Sequence, residues 1–273
     1  MILKRRVALN GVWLDEVDSR ICISSVEPAD GRESITAVDA ASGYGQRITG
    51  IRRQTVDMVV KFRIHEKGRS EAGMRARSEV LEAVNSWAAG GGYLTVNYKP
   101  DRRLYVILAQ APGEGSLWDF SKEFQITFRA YGIPYWEQEA AQSVMFGGNA
   151  TSGSRQIGIS GSAKTQVNVE LQNTDSAGMD TATITVGSDT MAFSSLSLAA
   201  GETLVIDHTE SGLVRIRIRS TGGVYRSAMA KRVNISAGVP SANDFMQAPG
   251  TKTASYSAAK KCKMTVSWRA RYL

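Results

Sequence analysis

Histidine and cysteine are nearly missing from this chain of 273 residues, which has two of each: His65 and His208, Cys22 and Cys262. Multi-histidine zinc sites and cysteine-rich metal knuckles need more ligands than that, so the count excludes them. The two cysteines stand 240 positions apart; they form neither a C-x-x-C pair nor a disulfide framework. Each is expected to be a reduced, small apolar side chain. No metal and no cofactor is expected. Long apolar runs are missing too. Nowhere do about 18 apolar residues follow one another, so no membrane-spanning helix is expected. The basic start Met1-Ile2-Leu3-Lys4-Arg5-Arg6 meets Asn10, Gly11 and Asp15 before an apolar stretch develops, and no secretory leader is expected. The sequons Asn149-Ala150-Thr151 and Asn234-Ile235-Ser236 therefore read as chance.

Catalytic signatures are equally thin. The patterns G-x-S-x-G and H-E-x-x-H and the EF-hand spacing do not occur. Gly158-Ile159-Ser160-Gly161-Ser162-Ala163-Lys164-Thr165 has the outline of a phosphate loop. Ala163 stands where a glycine must let the backbone approach the phosphate, and the match fails there. Asp207-His208 is an adjacent acid–imidazole pair. Neighbours on a strand point to opposite faces, and no serine or cysteine nucleophile is signalled nearby. His65, beside Glu66 and Lys67, reads as a solvated strand end. Carboxylate pairs for glycoside chemistry are a spatial feature that sequence does not display, but such clefts are aromatic-rich and aromatic residues are only 8% of this chain. An enzyme is the disfavoured class, and no catalytic residue is assigned.

What is present is charge, strand periodicity and one helix. Lys and Arg number 33 against 26 Asp and Glu, a net +7. Residues 1–140 carry 19 basic and 18 acidic side chains; residues 141–273 carry 14 and 8. The small-residue stretch Gly147-Gly148-Asn149-Ala150-Thr151-Ser152-Gly153-Ser154 has the composition of a linker. It places a boundary near 145–155, dividing the chain into 1–145 and 146–273.

The first part reads as an α+β domain, a mostly antiparallel sheet or barrel with one helix. Val56, Met58, Val60, Phe62 and Ile64 alternate with polar positions, with Val59 breaking the pattern, which predicts a half-buried strand. Met74, Arg77, Leu81, Val84 and Trp87 recur at helical spacing after a capping Ser70, and Gly90-Gly91-Gly92 stops the helix. Strands are predicted at Tyr93–Tyr98, Leu104–Gln110 and Phe124–Ala130, with Lys99-Pro100-Asp101-Arg102 as a turn. The second part is strands almost throughout, around Val167–Leu171, Ala182–Val186, Leu204–Ile206, Val214–Ile218 and Met264–Tyr272. Short strands with turn clusters between them predict an all-β sandwich.

One basic feature stands out. Arg215, Arg217 and Arg219 alternate with Val214, Ile216 and Ile218, which lines three guanidinium groups along one face of a strand. Lys263, Arg269 and Arg271 occupy the polar positions of the last strand. Such a ladder is a candidate partner-contact face, either a solvated edge suited to an acidic subunit or a row of nucleic-acid phosphate contacts. The interleaved aromatics on which single strands stack are missing.

Several segments together resemble a known family. Ser42-Gly43-Tyr44-Gly45-Gln46-Arg47-Ile48-Thr49-Gly50 precedes the strand Val56–Ile64. The helix ending Val84-Asn85-Ser86-Trp87-Ala88 leads into Gly92-Tyr93-Leu94-Thr95-Val96-Asn97-Tyr98-Lys99-Pro100. Arg103-Leu104-Tyr105-Val106 follows, and Phe124-Gln125-Ile126-Thr127-Phe128-Arg129-Ala130-Tyr131-Gly132-Ile133-Pro134-Tyr135-Trp136 closes the pattern. This resembles the distal tail protein family of long, non-contractile-tailed phages and their prophages, over about residues 30–140. In the second part, Leu198-Ala199-Ala200-Gly201-Glu202-Thr203-Leu204-Val205-Ile206-Asp207 resembles that family's galectin-like or carbohydrate-module-like sandwich. Ser241-Ala242-Asn243-Asp244-Phe245-Met246-Gln247-Ala248-Pro249-Gly250 resembles the loop before its final strand. The family's loop often ends in Gly-x-Asn there, whereas Thr251 to Ala259 intervene here.

The resemblance implies a ring, usually a hexamer, formed by the first domain at the tip of the tail tube. The implied partners are copies of the chain itself, the tail tube protein, the tail hub and receptor-binding proteins. The implied location is the virion tail tip, after synthesis in the bacterial host cytoplasm. The family carries no catalytic residues to transfer. Two alternatives stand beside it. One is a carbohydrate-binding module for host wall glycan, for which Tyr225, next to Gly222-Gly223, and Phe245 are the candidate contacts. The other is a basic nucleic-acid-binding protein.

Overall fold

The computed structural model describes residues 5–28, 33–39, 46–65, 70–113, 123–132, 134–209, 212–233 and 245–273. Positions 1–4, 42–45, 66–67, 133, 234–236 and 241–244, used in the readings above, lie outside them. The chain divides into two compact units, Met1–Trp136 and Glu137–Leu273. Counted on that division the first unit carries 19 basic and 16 acidic side chains and the second 14 and 10. The charge asymmetry of the 140/141 count disappears, because Glu137 and Glu139 belong to the second unit.

The first unit is α+β, as expected. Its strands are β1 (Val7–Leu9), β2 (Val12–Trp13), β3 (Ile21–Pro28), β4 (Glu33–Asp39), β5 (Gln46–Arg53), β6 (Val56–Ile64), β7 (Gly92–Val96), β8 (Lys99–Gln110) and β9 (Phe124–Ala130), with helices α1 (Leu14–Val17) and α2 (Glu71–Ala88). Seven strands run β2-β1-β7-β8-β9-β6-β3, each neighbour antiparallel, while β4 and β5 form a separate hairpin. The period-two pattern of β6 buries Val56, Met58, Val60, Phe62 and Ile64, and Phe124, Ile126 and Phe128 of β9 join them. Full burial of side chains of this size is worth about 1.5–3 kcal/mol each.

Helix α2 begins where Ser70 Oγ accepts a hydrogen bond from the Gly73 amide at 3.1 Å. It buries Val80, Leu81, Val84 and Ala88, and sets the Trp87 ring edge-on to Phe128 at 5.8 Å. Gly90 and Gly91, at φ +81° and +65°, take the left-handed conformation that ends it. The turn expected at Lys99–Arg102 falls earlier, at Asn97-Tyr98, and 99–102 belong to β8. Val96 pairs with Lys99 while Thr95 pairs with Arg103. Residues 100–102 therefore bulge out of register, which is how a strand tolerates Pro100 without an amide hydrogen.

The second unit is all-β. Strand β10 (Trp136–Gln138) crosses its start; β11 (Gln142–Ile159), β12 (Thr165–Asn173), β13 (Ala182–Val186), β14 (Asp189–Phe193), β15 (Thr203–His208), β16 (Val214–Arg219) and β17 (Tyr225–Ser227) follow. After a 3-10 turn at Met229–Lys231 come β18 (Met246–Gln247), β19 (Gly250–Trp268) and β20 (Arg271–Tyr272). Strand β19 belongs to both halves of the unit. Its first half, Ala254–Ala258, pairs with β13, and its second half, Cys262–Trp268, pairs with β12. Strand β11 follows it along the other side. One half is thus β14-β13-β19-β11 and the other β11-β19-β12-β15-β16-β17. Ile184, Met191, Phe193 and Tyr256 from the first meet Val169, Leu171, Ile206, Ile216, Val266 and Trp268 from the second in one hydrophobic core.

The stretch Gly147–Ser154 is accordingly not a linker but the bend of β11. The β11–β19 register shifts between Gly147 and Ala150 and again between Ala150 and Ser152. Thr251–Ala259, the extra residues before the family's final strand, form the first half of β19.

Candidate functional site

The outward face of β12, β15, β16 and β19 carries the basic residues singled out above. Cross-strand pairing arranges it in rows. Lys263, Gln172, Thr203 and Arg219 form one and Thr265, Glu170, Val205 and Arg217 the next; beyond them Ser267 pairs with Asn168, and Asp207 with Arg215. The sequence argument placed the arginines on one face, and there they are. It did not see the carboxylates set among them. Arg215 and Arg217 both reach Asp207, at 2.8 and 2.6 Å, and Arg219 reaches Glu170 at 2.8 Å. One carboxylate shared by two guanidinium groups leaves one positive charge in excess, and Arg215 is the most exposed of the three at 44%. The face is a network of ion pairs, which phosphate contacts would have to break. That weakens the nucleic-acid reading.

The last strand divides its three candidates. Lys263 is half-buried in the first row. The guanidinium of Arg269 donates to the Gln138 carbonyl at 3.2 Å. Arg271 is a correction: only 3% of its side chain is exposed. Its Nε pairs with Glu137 at 2.9 Å, its Nη2 donates to Gln166 at 2.6 Å, and its backbone carbonyl accepts from the Ser162 and Ala163 amides. It fastens the 161–163 segment and presents nothing to a partner. The same bonds dispose of the phosphate-loop outline, since that segment leads into β12 and not into a helix.

The two glycan candidates also separate. Tyr225 is 44% exposed at the start of edge strand β17, and the Arg217 guanidinium lies 4.3 Å from its ring centre. Beside it a groove of about 280 Å³ is lined by Val214, Ile216, Arg217, Arg226 and Met229, among others. Phe245 is the second correction. It is fully buried in the core, with φ at +55°, so it offers no surface to a sugar. An apolar ring next to a polar turn looks the same in sequence whether it points in or out. The Asp207-His208 pair is split: Asp207 serves the arginines, and His208 Nδ1 lies 2.9 Å from Asn168 Oδ1.

Elsewhere in this unit Glu202 is a residue whose role the sequence reading missed. Its carboxylate takes two hydrogen bonds from Arg226, at 2.5 and 2.7 Å, and one from the Ala199 amide at 2.9 Å. The Arg226 guanidinium holds it below the usual carboxylate range. The A-G-E sequence was the available signal, since a carboxylate three residues after a turn amide is placed to cap it. Among the described residues no group of three or more His, Cys, Asp or Glu is placed to hold a metal ion, and no helix is long and apolar enough to cross a membrane.

No protein-family model matches the chain, and no curated protein matches it. Solved structures do. The SPP1 Dit (gp 19.1) protein, described as a paradigm of hub adsorption apparatus in Gram-positive infecting phages, superposes with a TM-score of 0.67 at 12% identity, over 98% of this chain and 99% of that one. Two structures of the phage P2 baseplate in its activated conformation, with Ca and with Sr, give TM-scores of 0.48 and 0.45. Their identities are 8% and 9%, over 99% and 97% of this chain and 98% and 97% of theirs. Across nearly its whole length, the chain has the fold of the SPP1 Dit hub protein.

Proposed function

We propose that this chain is a structural component of a phage or prophage tail tip, forming a ring that connects the tail tube to the hub and the receptor-binding apparatus. The observation that carries it is the match in fold with SPP1 Dit along 98% of this chain and 99% of that one. A domain borrowed for another purpose would match over one unit only. The unit Met1–Trp136 is the ring-forming part in this reading, and the β-sandwich Glu137–Leu273 is an accessory module. Partners are other copies, six to a ring, the tube protein, the hub and receptor-binding proteins. The exposed Arg215 with Arg217 and Arg219 is the proposed contact for an acidic partner surface, and Tyr225 remains the one proposed glycan contact. The role is scaffolding, not catalysis, and its place is the virion tail, after synthesis in the bacterial cytoplasm.

A closed ring requires each protomer to bury two different patches head-to-tail. Negative-stain microscopy of the purified protein, alone and with its tube protein, tests this directly. Six-fold rings with peripheral lobes are expected. Particles that stay monomeric in both samples would overturn the reading.

A further inference from the structure

Asn10-Gly11 sits at the tip of the first hairpin and is the chain's single Asn-Gly step. Leu9 pairs with Val12, which leaves these two residues as the whole turn. Their φ angles, +52° and +83°, are both positive, as a two-residue turn of this kind requires and as Asn and Gly best allow. The same step is where a polypeptide most easily modifies itself. With no side chain on the residue that follows, the backbone nitrogen of Gly11 has an unobstructed approach to the side-chain carbonyl carbon of Asn10.

The fold holds that carbonyl elsewhere. Asn10 Nδ2 donates to the Gly91 carbonyl at 3.1 Å, and Asn10 Oδ1 accepts from the Tyr93 amide at 2.9 Å. The backbone amide of Asn10 donates to the Tyr93 carbonyl at 2.9 Å. Leu9 pairs with Leu94, so the carboxamide continues the β1–β7 ladder by one step, a side chain in place of a peptide. A Cβ on Gly92 would overlap this carboxamide, so the seat depends on Gly92 being bare. Both ends of the group are engaged, and turning it toward the Gly11 nitrogen breaks both bonds. Behind the turn, Val7, Ala8 and Leu9 are buried and keep β1 on the sheet. Trp87 Nε1 donates to the Val12 carbonyl at 3.0 Å and pins β2.

We propose that Asn10 is a self-modification site gated by its seat on β7: it stays an amide while seated and converts to aspartate and isoaspartate once released. In the step, the Gly11 nitrogen bonds to Asn10 Cγ while the Cγ–Nδ2 bond breaks. The Gly11 amide proton leaves with Nδ2 as ammonia. Solvent water then opens the five-membered imide at this exposed turn. Opening at Cγ gives aspartate, and opening at the backbone carbonyl carbon gives isoaspartate; nothing is oxidised or reduced. Neither product refits the seat. Aspartate sets an oxygen against the Gly91 carbonyl where a donor stood. Isoaspartate adds a carbon to the backbone of a turn whose length fixes the register of its strands. The change is permanent and marks the chains whose first hairpin has opened. It stands on the hairpin alone and does not depend on the tail-tip reading.

The test follows Asn10 by peptide mass spectrometry in the full-length protein, incubated in mildly alkaline buffer with and without unfolding urea. Conversion is expected in urea. In the folded protein it is expected to be slower by about tenfold or more, since both side-chain bonds must open first. Gly92→Ala crowds the carboxamide out of its seat, and Trp87→Phe removes the hydrogen bond to Val12. Each is expected to speed conversion in the folded protein and to leave the rate in urea unchanged, with circular dichroism checking that the fold is kept. Equal wild-type rates with and without urea would overturn the proposal, as would a failure of Asn10 to convert in urea. So would folded-state rates indifferent to both substitutions.

Discussion

The hydroxyl of Tyr256 donates to the carbonyl of Cys262 at 2.7 Å, tying together the two halves of β19 across its bend. The same hydroxyl lies 3.2 Å from the Ala150 carbonyl on β11. The β11–β19 ladder loses register here, and the phenol reaches a carbonyl on each of the two strands. Gly147, at φ +83°, makes room for it, since a Cβ there would overlap the Tyr256 hydroxyl.

Tyr256→Phe keeps the ring and removes the donor. A loss of about 1 kcal/mol is expected. Gly147→Ala meets both the hydroxyl and an unfavourable backbone conformation, and a larger loss is expected. Urea unfolding of the two variants checks the order; a Gly147→Ala protein as stable as the wild type would remove the bend from the account.

Burial pushes the Cys262 thiol up to about 11, and burial also raises Tyr256. Both groups ionise more readily in the unfolded chain. The thiol's contribution is complete below the ordinary thiol range near 9 and is lost as pH rises through about 11, and the phenol's is lost as pH rises through its own raised value. A melting temperature that falls between pH 9 and 11, and falls less in Cys262→Ala, is the expected result.

At acid pH the sign reverses. Glu202 is held below the ordinary carboxylate range by Arg226, so its contribution is present at neutral pH and is lost as pH falls through its lowered value. Arg226 is half-exposed, and solvent screens the pair, so Glu202→Gln is expected to cost about 1 kcal/mol at pH 7. The difference from wild type should shrink below about pH 4. A deficit unchanged by acid would assign the effect to packing.

The arginines of the candidate face should not behave alike. Arg271→Ala removes a buried guanidinium and leaves the half-buried Glu137 without this ion pair, and a loss of about 3 kcal/mol is expected. Arg215→Ala, at an exposed ion pair whose carboxylate keeps Arg217, should cost less than about 0.5 kcal/mol. Thermal melting distinguishes them, and equal losses would contradict the assignment of one to the core and the other to the surface.

Much of the fold was legible in local pattern. Strand β6 and helix α2 declare themselves because one face of each is buried, and burial imposes periods of 2 and 3.6 on neighbouring residues. The alternation of Val214–Arg219 placed three arginines on one face for the same reason. Strand β11 hid because its middle is Gly, Asn and Ser, which bring little strand preference of their own. Its conformation comes from the ladder with β19, about a hundred positions away in sequence. The partners of the arginines were hidden likewise: Asp207 lies 8 positions from Arg215, and Glu170 lies 49 from Arg219.

The sequence by itself determined the element types, the class of each half, the scarcity of ligating residues and the rows of basic side chains, all of which follow from composition and short-range period. Only the tertiary structure decided that Phe245 and Arg271 turn inward, that the glycine-rich stretch bends a strand, and that carboxylates occupy the basic face. Each of those depends on which distant strand lies alongside, and strand pairing is settled by long-range register and shared burial, which no local window of sequence contains.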